Sequence, residues 1–351
     1  MRLRVIITGG GTGGHVYPAL EIAALAQEES DLVYFGSHRG MEGAVCEQRG
    51  YQFQGFDSVP VYSYKSLAGA IALARLLRAS VSAKKMMMAM KPDIVFSTGG
   101  YSSAPVMRAA KSLGVPLAIH ACDTLPGRSL RMFANYAKVV TATFRATEQL
   151  LGRTVIRTGH PVRAELRQAV TNRHPEENLI VVLGGSGGAK FLNEMVPQAA
   201  RMLPNIKVLH SAGKAQYETA THLISGIEDR YDMRPYFESE VMASVYKTGS
   251  LAIARSGSTV SEFAMARIPS ILVPLPTSAD NHQLRNAQEF ESMGASTIAN
   301  QESCTVEELA SQINLWLKDK NKRESAVRAL SEWDMPNATF EIWSHVKSAA
   351  T

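Results

Sequence analysis

The first half of the chain alternates short runs of apolar residues with longer stretches that have a helical pattern. The runs that predict β-strands lie at residues 3–7, 32–35, 94–96, 116–119 and 139–141. Strands that alternate with helices in this way form a parallel sheet with helices on both faces. The first half is therefore predicted to be a doubly wound α/β domain.

A second domain of the same kind is predicted to follow. The pattern breaks at Gly159-His160-Pro161 and then at the polar run of residues 171–177. Strand-like runs resume at residues 178–183, 206–210, 251–254 and 271–273. We predict two Rossmann-like domains, residues 1–160 and 161–336, with a ligand site in the cleft between them. Residues 337–351 are predicted to form a final helix, which the pattern alone does not place.

A glycine-rich loop joins the first predicted strand to the first predicted helix. Five of the six residues from Gly9 to Gly14 are glycines, and the sixth is Thr12. Such a loop brings backbone N–H groups close to a ligand, and the helix that follows directs the positive end of its dipole at the same place. The loop is therefore predicted to bind a phosphate or diphosphate group.

The same loop also fits the G-x-G-x-x-G fingerprint of a dinucleotide site through Gly9, Gly11 and Gly14. A dinucleotide site of this kind needs an acidic residue at the end of the second strand to hold the ribose. Residues 36–39, which follow the second predicted strand, are Gly, Ser, His and Arg. The sequence therefore disfavours a nicotinamide or flavin dinucleotide, and no cofactor is expected.

Polar residues follow two of the strands predicted for the second domain. Residues 255–262 lie between a strand and a helix, so that Ser258 and Thr259 can offer hydroxyl and N–H groups to a phosphate. Glu262 can accept both hydroxyls of a ribose, or it can be the carboxylate of a capping box at the helix start. Residues 274–283 form a second polar loop, which favours a ligand with many hydroxyl groups.

Composition narrows the class of protein. The 351 residues carry a formal net charge of +5, which suits an anionic substrate or an anionic membrane surface. The three cysteines are scattered, so the sequence predicts neither a disulfide framework nor a zinc site. The sequence has no signal-peptide pattern and no apolar run long enough to span a bilayer, and a soluble cytoplasmic protein is expected.

Residues 67–90 combine an apolar stretch with several cations. The cations are Arg75, Arg78, Lys84 and Lys85. This pattern predicts a basic amphipathic helix or a pair of helices, which can lie in a membrane interface with its cations toward anionic headgroups. The alternative is a helix that packs on the core while its cations reach solvent.

Taken together, the motifs resemble those of the MurG family, the N-acetylglucosaminyltransferases of peptidoglycan synthesis. The residues that carry the resemblance occur in the family's order: 10–15 with Pro18, 99–101, 159–163, 184–186 with 188–189, 255–257 with Glu262, and 280–283 with 286–287. They extend from the first strand almost to the final helix. The resemblance implies the GT-B fold, which consists of two Rossmann-like domains.

By this resemblance the protein would transfer N-acetylglucosamine from UDP-N-acetylglucosamine, with inversion, to undecaprenyl-diphospho-N-acetylmuramoyl-pentapeptide. It would work at the cytoplasmic face of the cell membrane as a peripheral protein that binds the anionic surface, with no nucleic-acid partner. His15 is the candidate general base, since a neutral imidazole can take the proton of the attacking hydroxyl. No metal is expected, because the sequence has no D-x-D pair to hold one.

The family's substrate contacts carry over onto residues of both halves. Thr12, Gly13 and Gly14 would lie against the donor sugar and the acceptor diphosphate. Glu262 would bind the ribose, and Gln283 would bind the sugar of the donor. The other expected contacts are Asp123, Arg163, Ser186, Phe237, Ser258, Thr259, Val260, Ser261 and His282.

The chain departs from the family pattern at several of these positions. Asp123 stands where the family usually has an amide, and Gly187 stands where it usually has a glutamine. The segment that contacts uracil in the family aligns poorly around residues 236–238, where Phe237 is the predicted base contact. Three alternatives therefore stay open: another GT-B transferase with a lipid or small acceptor, a UDP-N-acetylglucosamine epimerase, and a non-catalytic sensor of nucleotide sugars.

Overall fold

The computed structural model describes residues 2–60, 66–185 and 187–350. The chain divides into two compact units, Met1–Arg163 with Pro336–Thr351, and Ala164–Met335. Each unit contains one parallel β-sheet with helices, so the predicted α/β class with two Rossmann-like domains is confirmed. No helix within the described residues is both long enough and apolar enough to cross a bilayer.

The first unit is built on a sheet of seven described strands. They are β1 Leu3–Gly9, β2 Ser30–Ser37, β3 Phe53–Phe56, β4 Ile94–Gly99, β5 Leu117–Ala121, β6 Val139–Ala142 and β7 Ile156–Arg157. Their order across the sheet is β3-β2-β1-β4-β5-β6-β7. The helices that accompany them are α1 Gly13–Glu29, α2 Glu42–Gln48, α3 Leu67–Met90, α4 Ala104–Leu113, α5 Arg128–Ala134 and α6 Thr147–Leu151.

The second unit is built on a sheet of six described strands. They are β8 Leu179–Leu183, β9 Lys207–Ser211, β10 Tyr231–Arg234, β11 Leu251–Ala254, β12 Ser270–Leu272 and β13 Ser296–Ile298. Their order across the sheet is β10-β9-β8-β11-β12-β13. The helices are α7 Ala164–Ala169, α8 Lys190–Arg201, α9 Tyr217–Ala220, α10 Ser239–Thr248, α11 Thr259–Ala266, α12 His282–Ser292, α13 Val306–Lys318 and α14 Lys320–Trp333.

Both sheets reverse their strand order beside their first strand. β1 lies between β2 and β4, and β8 lies between β9 and β11. The residues of β8 are all buried, which explains why this strand is an unbroken apolar run in the sequence. In sheets of this type ligands bind beyond the carboxyl ends of the strands, at the point of reversal. Ligand-binding residues are therefore expected in the loops that follow β1, β4, β8 and β11.

The last helix, α15 Ala338–Ala350, belongs to the first unit although the whole second unit precedes it in the chain. Its buried residues Ile342, Trp343 and Val346 lie in the same apolar cluster as residues of β1 and α1. The indole Nε1 of Trp343 donates to Glu29 Oε1 at 3.1 Å, and Lys347 Nζ lies 2.8 Å from Glu29 Oε2. These contacts lower the pKa of Glu29 and fix the helix that the sequence pattern could not place.

Candidate active site

Each sheet gathers motif residues at the carboxyl ends of neighbouring strands. In the first unit the segments that follow β1, β4 and β5 contain Gly10–Gly14, Gly100–Tyr101 and Cys122–Thr124. In the second unit the segments that follow β8, β11 and β12 contain residues 184–188, 255–258 and 273–281. Since the strands of each sheet are parallel neighbours, the loops of one unit meet at one edge.

The glycine loop after β1 is held by the loop after β4. Gly100 has a φ of 87°, and a Cβ atom there would lie 1.8 Å from the carbonyl oxygen of Gly10. Gly11 has a φ of 90°, and its Cβ would lie 2.7 Å from the ring of Tyr101. The two motifs therefore need glycine for close backbone packing as well as for any ligand.

The helix that follows the glycine loop begins with an open N-terminus. Thr12, its N-cap residue, is extended and exposed, and its side chain makes no capping hydrogen bond. The carbonyl of Thr12 accepts from the N–H groups of His15 and Val16, each at 3.1 Å. The N-terminus of α1 thus directs its positive dipole end toward the place where Thr12, Gly13 and Gly14 are expected to meet substrate.

His15 is half-buried in the first turn of α1. Its main chain is fixed, because the hydroxyl of Thr98 on β4 donates to its carbonyl oxygen at 2.7 Å. Burial lowers the pKa of His160 to about 4, and the nearby His15 contributes to the lowering. The structure therefore brings the predicted general base close to a second histidine.

Asp123 is half-buried directly after β5, beside the same histidine. Its carboxylate raises the pKa of His160, although burial is the stronger effect and lowers that pKa to about 4. Burial raises the pKa of the Cys122 thiol well above its usual range, and the negative charge of Asp123 raises it further. At neutral pH the structure thus favours an uncharged His160 and an uncharged Cys122.

Three buried side chains near this point have the chemistry of metal ligands. The ligand atoms of His120, Cys122 and His160 lie within 4.8 Å of one another. However, both ring nitrogens of His120 are hydrogen-bonded to threonine hydroxyls, and so is Nδ1 of His160. A metal would have to break these bonds and deprotonate a thiol whose pKa is raised. The cluster is therefore best described as a hydrogen-bonded network.

Arg163 follows β7 and stands beside the first helix. Its guanidinium carbon lies 5.7 Å from the ring centroid of Tyr17, a residue of α1 that is partly exposed. This distance is within the range of a cation–π contact. The predicted donor contact Arg163 and the predicted base His15 therefore belong to the same structural unit.

In the second unit, the four expected phosphate contacts at the start of α11 differ in how accessible they are. The N–H groups of Val260 and Ser261 already donate to the carbonyls of Gly257 and Ser258, at 3.2 and 3.0 Å. The side chains of Val260 and Ser261 are buried. Ser258 and Thr259 are half-buried, and the side chain of Ser258 makes no capping bond. Of the four residues, Ser258 and Thr259 are thus better placed to bind a phosphate.

Glu262 lies in the first turn of α11 and is held by α10. The hydroxyl of Tyr246, a buried residue of α10, donates to Glu262 Oε2. This bond orients one carboxylate oxygen of Glu262. Glu262 is half-buried. Sequence reasoning did not single out Tyr246, because a tyrosine at helical spacing is typical of a core position.

Gln283 has one side-chain atom fixed by the main chain. Its Oε1 accepts from the N–H of Leu275 at 2.9 Å, so its amide nitrogen remains as a donor. Its own carbonyl accepts from the hydroxyl of Ser256 at 2.8 Å, and the amide of Asn286 donates to the carbonyl of Ser256 at 3.0 Å. These bonds join the segment after β11 to the start of α12. The same segment begins with Arg255. Its guanidinium donates to the carbonyl of Val273 at 3.0 Å and so ties this segment to the end of β12.

The start of α12 is locally strained. Asp280 and Asn281 have φ values of 52° and 54°, in the left-handed region that non-glycine residues rarely adopt. His282 follows, and its Nδ1 lies 2.8 Å from the carbonyl oxygen of Ala279. Strain of this kind is concentrated at functional sites. It marks the segment that leads into the predicted contacts His282 and Gln283.

Phe237 and Ser186 are the remaining predicted contacts of the second unit. Phe237 is only 7% exposed, whereas its neighbour Tyr236 is 40% exposed. The Nζ atom of Lys214 lies 4.2 Å from the ring centroid of Tyr236. Of the two aromatic rings, Tyr236 is the more accessible to a nucleobase. Ser186, in the loop after β8, lies outside the described residues.

Both halves of the chain match known protein families. Residues 5–142 match the glycosyltransferase family 28 N-terminal domain, and residues 179–338 match the glycosyltransferase family 28 C-terminal domain. The two matched segments cover the two sheets in chain order. The fold and these matches define the class of protein as a glycosyltransferase of family 28.

Individual relatives are similar over nearly the full length. The UDP-N-acetylglucosamine-N-acetylmuramyl-(pentapeptide) pyrophosphoryl-undecaprenol N-acetylglucosamine transferase of Symbiobacterium thermophilum is 32% identical, over 97% of this chain and 94% of the relative. The transferase of the same name from Lactococcus lactis subsp. cremoris is 31% identical over 98% and 99%. The crystal structure of MurG from Acinetobacter baumannii has a TM-score of 0.79 at 28% identity, and covers 99% and 100%. The chain belongs to the MurG family.

Proposed function

We propose that this protein transfers N-acetylglucosamine from UDP-N-acetylglucosamine to undecaprenyl-diphospho-N-acetylmuramoyl-pentapeptide, with inversion at the anomeric carbon. The observation that carries the proposal is the similarity to transferases of that name over nearly the full length of both chains. The product is the lipid-linked disaccharide-pentapeptide from which peptidoglycan is built. The protein acts as an enzyme, and UDP leaves as the second product.

The second unit is proposed to bind the donor. The N-terminus of α11, with Ser258 and Thr259, binds the diphosphate through N–H and hydroxyl groups. Glu262, oriented by Tyr246, accepts the two ribose hydroxyls. The amide nitrogen of Gln283 donates to an oxygen of the sugar, because its oxygen is already bonded to the main chain.

The first unit is proposed to bind the acceptor and to carry the base. The open N-terminus of α1 suits the diphosphate of the acceptor lipid. His15, two residues inside that helix, removes the proton of the attacking 4-hydroxyl as the new glycosidic bond forms.

The leaving UDP gains negative charge as the bond to the sugar breaks. Helix N-termini and Arg163 supply positive charge against it. The sequence has no D-x-D pair that would hold a divalent ion against the diphosphate, so the proposed mechanism assigns this task to protein groups. Turnover in excess chelator is the expected result.

We propose further that α3 attaches the protein to an anionic membrane surface. One side of α3 is buried against the first unit through residues such as Ala79, Ala83 and Met87. The opposite side exposes large apolar side chains, among them Leu67 at 80%, Val81 at 69% and Met88 at 53%. Apolar side chains at this exposure are unfavourable in water and suit the boundary between headgroups and acyl chains.

The charges of α3 support the same proposal. Its 24 residues contain two arginines and two lysines and no acidic residue. Arg78 and Lys85 are exposed on the side that carries the apolar residues, while Arg75 lies 3.8 Å from Asp57. Cations that surround apolar anchors favour anionic lipids, since each contributes about 1 kcal/mol near a charged surface. Peripheral binding at the cytoplasmic face of the cell membrane follows from this proposal.

The direct test is incubation of the purified protein with UDP-N-acetylglucosamine and the lipid-linked muramoyl acceptor, followed by mass analysis of all products. The proposal expects an acceptor whose mass has increased by one N-acetylhexosamine residue, together with UDP. Conversion of the nucleotide sugar without an acceptor would indicate an epimerase. Tight donor binding without any product would indicate a sensor, and either result would overturn the proposal.

A further inference from the structure

A chain of hydrogen bonds runs through the buried network at the carboxyl ends of β5 and β6. The hydroxyl of Thr141 donates to the carbonyl of Ile119 at 3.3 Å, and His120 Nδ1 lies 3.0 Å from Thr141 Oγ1. His120 Nε2 and His160 Nδ1 each lie 3.2 Å from Thr143 Oγ1. Three side chains thus connect a main-chain carbonyl to His160.

The carbonyl at one end gives one consistent set of directions for the bonds in this chain. A carbonyl oxygen can only accept, so the single proton of the Thr141 hydroxyl points to Ile119. Thr141 Oγ1 must then accept from its other neighbour, and His120 carries its proton on Nδ1. Burial without a counter-charge holds the pKa of His120 well below its usual range, so His120 is neutral and its Nε2 is an acceptor.

The same logic extends to the far end. His120 Nε2 has no proton, so it accepts the single proton of the Thr143 hydroxyl. Thr143 Oγ1 is then an acceptor for His160, which must carry a proton on Nδ1. His160 is neutral as well, with a pKa of about 4. The network therefore leaves His160 Nε2 with a free lone pair and no proton.

His160 differs from His120 in its position. His120 is fully buried, whereas His160 retains 7% of its surface and lies near the charges of both His15 and Asp123. An imidazole locked in one tautomer offers a ligand an acceptor and no donor. Its place beside the proposed base makes this acceptor available where the reacting sugar is expected.

We propose that His160 is a substrate contact that accepts, through Nε2, a hydrogen bond from a hydroxyl or amide N–H group of a bound sugar. Thr141, His120 and Thr143 are positioning residues, because they fix the tautomer that makes Nε2 an acceptor. The inference deepens the proposed function and rests on it for the identity of the sugar. It assigns to this site a selectivity for ligands with a donor group at that point.

The tautomer can be measured directly by NMR on the protein labelled with ¹⁵N at histidine. Long-range proton–nitrogen correlations distinguish the two tautomers, and the His160→Asn variant identifies the His160 signals by their loss. The expected spectrum shows His160 protonated at Nδ1 at neutral pH. Protonation at Nε2 would overturn the proposal whether or not the protein is active.

Titration of the same sample tests the contact. The Nε2 resonance is expected to shift on addition of UDP-N-acetylglucosamine if the donor sugar makes the bond, or only on addition of the muramoyl acceptor if the acceptor makes it. A resonance that ignores both ligands, in a sample whose other histidine signals respond, would contradict the contact. Because this readout is binding, it remains decisive even if no sugar transfer occurs.

Kinetics with matched variants supply the second arm. His160→Leu is expected to lower kcat/KM by about tenfold, as for a lost hydrogen bond to a polar substrate group, and His160→Asn, which keeps an acceptor, by less. Thr143→Val is expected to reproduce part of the loss and to give a mixture of His160 tautomers, and Thr143→Ser to restore the single tautomer. Equal activity of wild type and His160→Leu would refute the role.

Discussion

His15 carries the chemical step in the proposed mechanism. Replacement by alanine removes the proton acceptor, so His15→Ala is expected to lower kcat by roughly 100- to 10,000-fold, the usual contribution of a general base. Donor affinity is expected to change little, because the proposed contacts of Ser258, Thr259, Glu262 and Gln283 with the donor are left intact. Rapid-quench kinetics in a single turnover would measure the effect on chemistry alone.

A fall of only a few fold in that experiment would make His15 a positioning residue. Asp123 would then be the first alternative base to test, since it lies beside the same histidine network. His174→Ala is a suitable control, because His174 is exposed and belongs to neither proposed substrate site.

The ribose contact can be tested with two variants of one hydrogen bond. Glu262→Ala is expected to weaken UDP binding by about 1.5 to 3 kcal/mol through loss of a charge-assisted bond. Tyr246→Phe leaves the carboxylate in place and removes only the hydroxyl that orients it, so a smaller loss is expected. Calorimetry with UDP would measure both losses. If both variants bound UDP as tightly as wild type, Glu262 would have only a structural role.

Single residues also mark the limit of what the sequence could tell. Glu262 and Gln283 could be selected as candidates because acidic and amide side chains after a strand suit a sugar ligand. Tyr246, which orients Glu262, and Thr143, which is bonded to His160, could not be selected. Their importance depends on a neighbour that lies 16 or 17 residues away in sequence but within hydrogen-bond distance in space.

At the scale of elements, α3 is the part whose role the structure sharpens most. Reversal of Arg78, Lys84 and Lys85 to glutamate is expected to abolish binding to vesicles rich in anionic lipid and to leave UDP affinity unchanged. Vesicle flotation at low and high salt would measure the effect, since the attraction is screened by salt. Wild-type protein that fails to float with such vesicles at low salt would refute the docking role.

A matched control excludes a general effect of net charge. Reversal of Lys318, Lys320 and Arg328 makes the same change in charge on exposed positions of the second unit. That variant is expected to float like wild type. A third variant, Val81→Asp, removes apolar character at one exposed position of α3 and is expected to weaken binding at any salt concentration.

Elements also differ in how well the sequence predicted them. The segment 67–90, predicted as one helix or a pair, is the single helix α3, and every central strand was predicted. The strands that were missed are β3, β7, β10 and β13, and each lies at an edge of its sheet. A central strand is buried on both faces and reads as an apolar run, whereas an edge strand such as Tyr231–Arg234 includes polar, partly exposed residues.

At the scale of the whole molecule, buried histidines predict how stability depends on pH. His210 on β9 is fully buried, Nδ1 lies 2.7 Å from the hydroxyl of Tyr231, and burial lowers the pKa to about 3. The unfolded chain takes up this proton near pH 6.5, but the folded protein does not until about pH 3. Stability is therefore expected to fall as pH decreases below about 6.5, by at most about 1.4 kcal/mol per pH unit for each such histidine.

Urea denaturation between pH 7.5 and about pH 5 would measure this dependence before most carboxylates titrate. His120 and His160 contribute in the same direction, since burial also lowers their pKa values. His210→Gln is expected to flatten the dependence of the second unit, and the exposed His174→Gln to leave it unchanged. A stability that is independent of pH over this range would contradict the burial of neutral histidines.

The division of the chain into two units was visible in the sequence because each half repeats a strand, a glycine loop and a helix. The place of α15 was not visible. Its apolar stripe fits any apolar surface, and only the packing of Trp343 against the first unit and its bond to Glu29 decide the matter. Contacts between residues some 300 positions apart leave no periodic signal in one sequence.

The central claim is that one molecule of UDP-N-acetylglucosamine gives one glycosylated lipid acceptor and one UDP, through groups of the protein itself. The most direct measurement follows both products over time, in excess chelator, with UDP determined enzymatically and the lipid by mass spectrometry. Equal rates for the two products and full activity in the chelator are expected. Release of UDP without a gain of one N-acetylhexosamine in the lipid, or strict dependence on added magnesium or manganese, would contradict it.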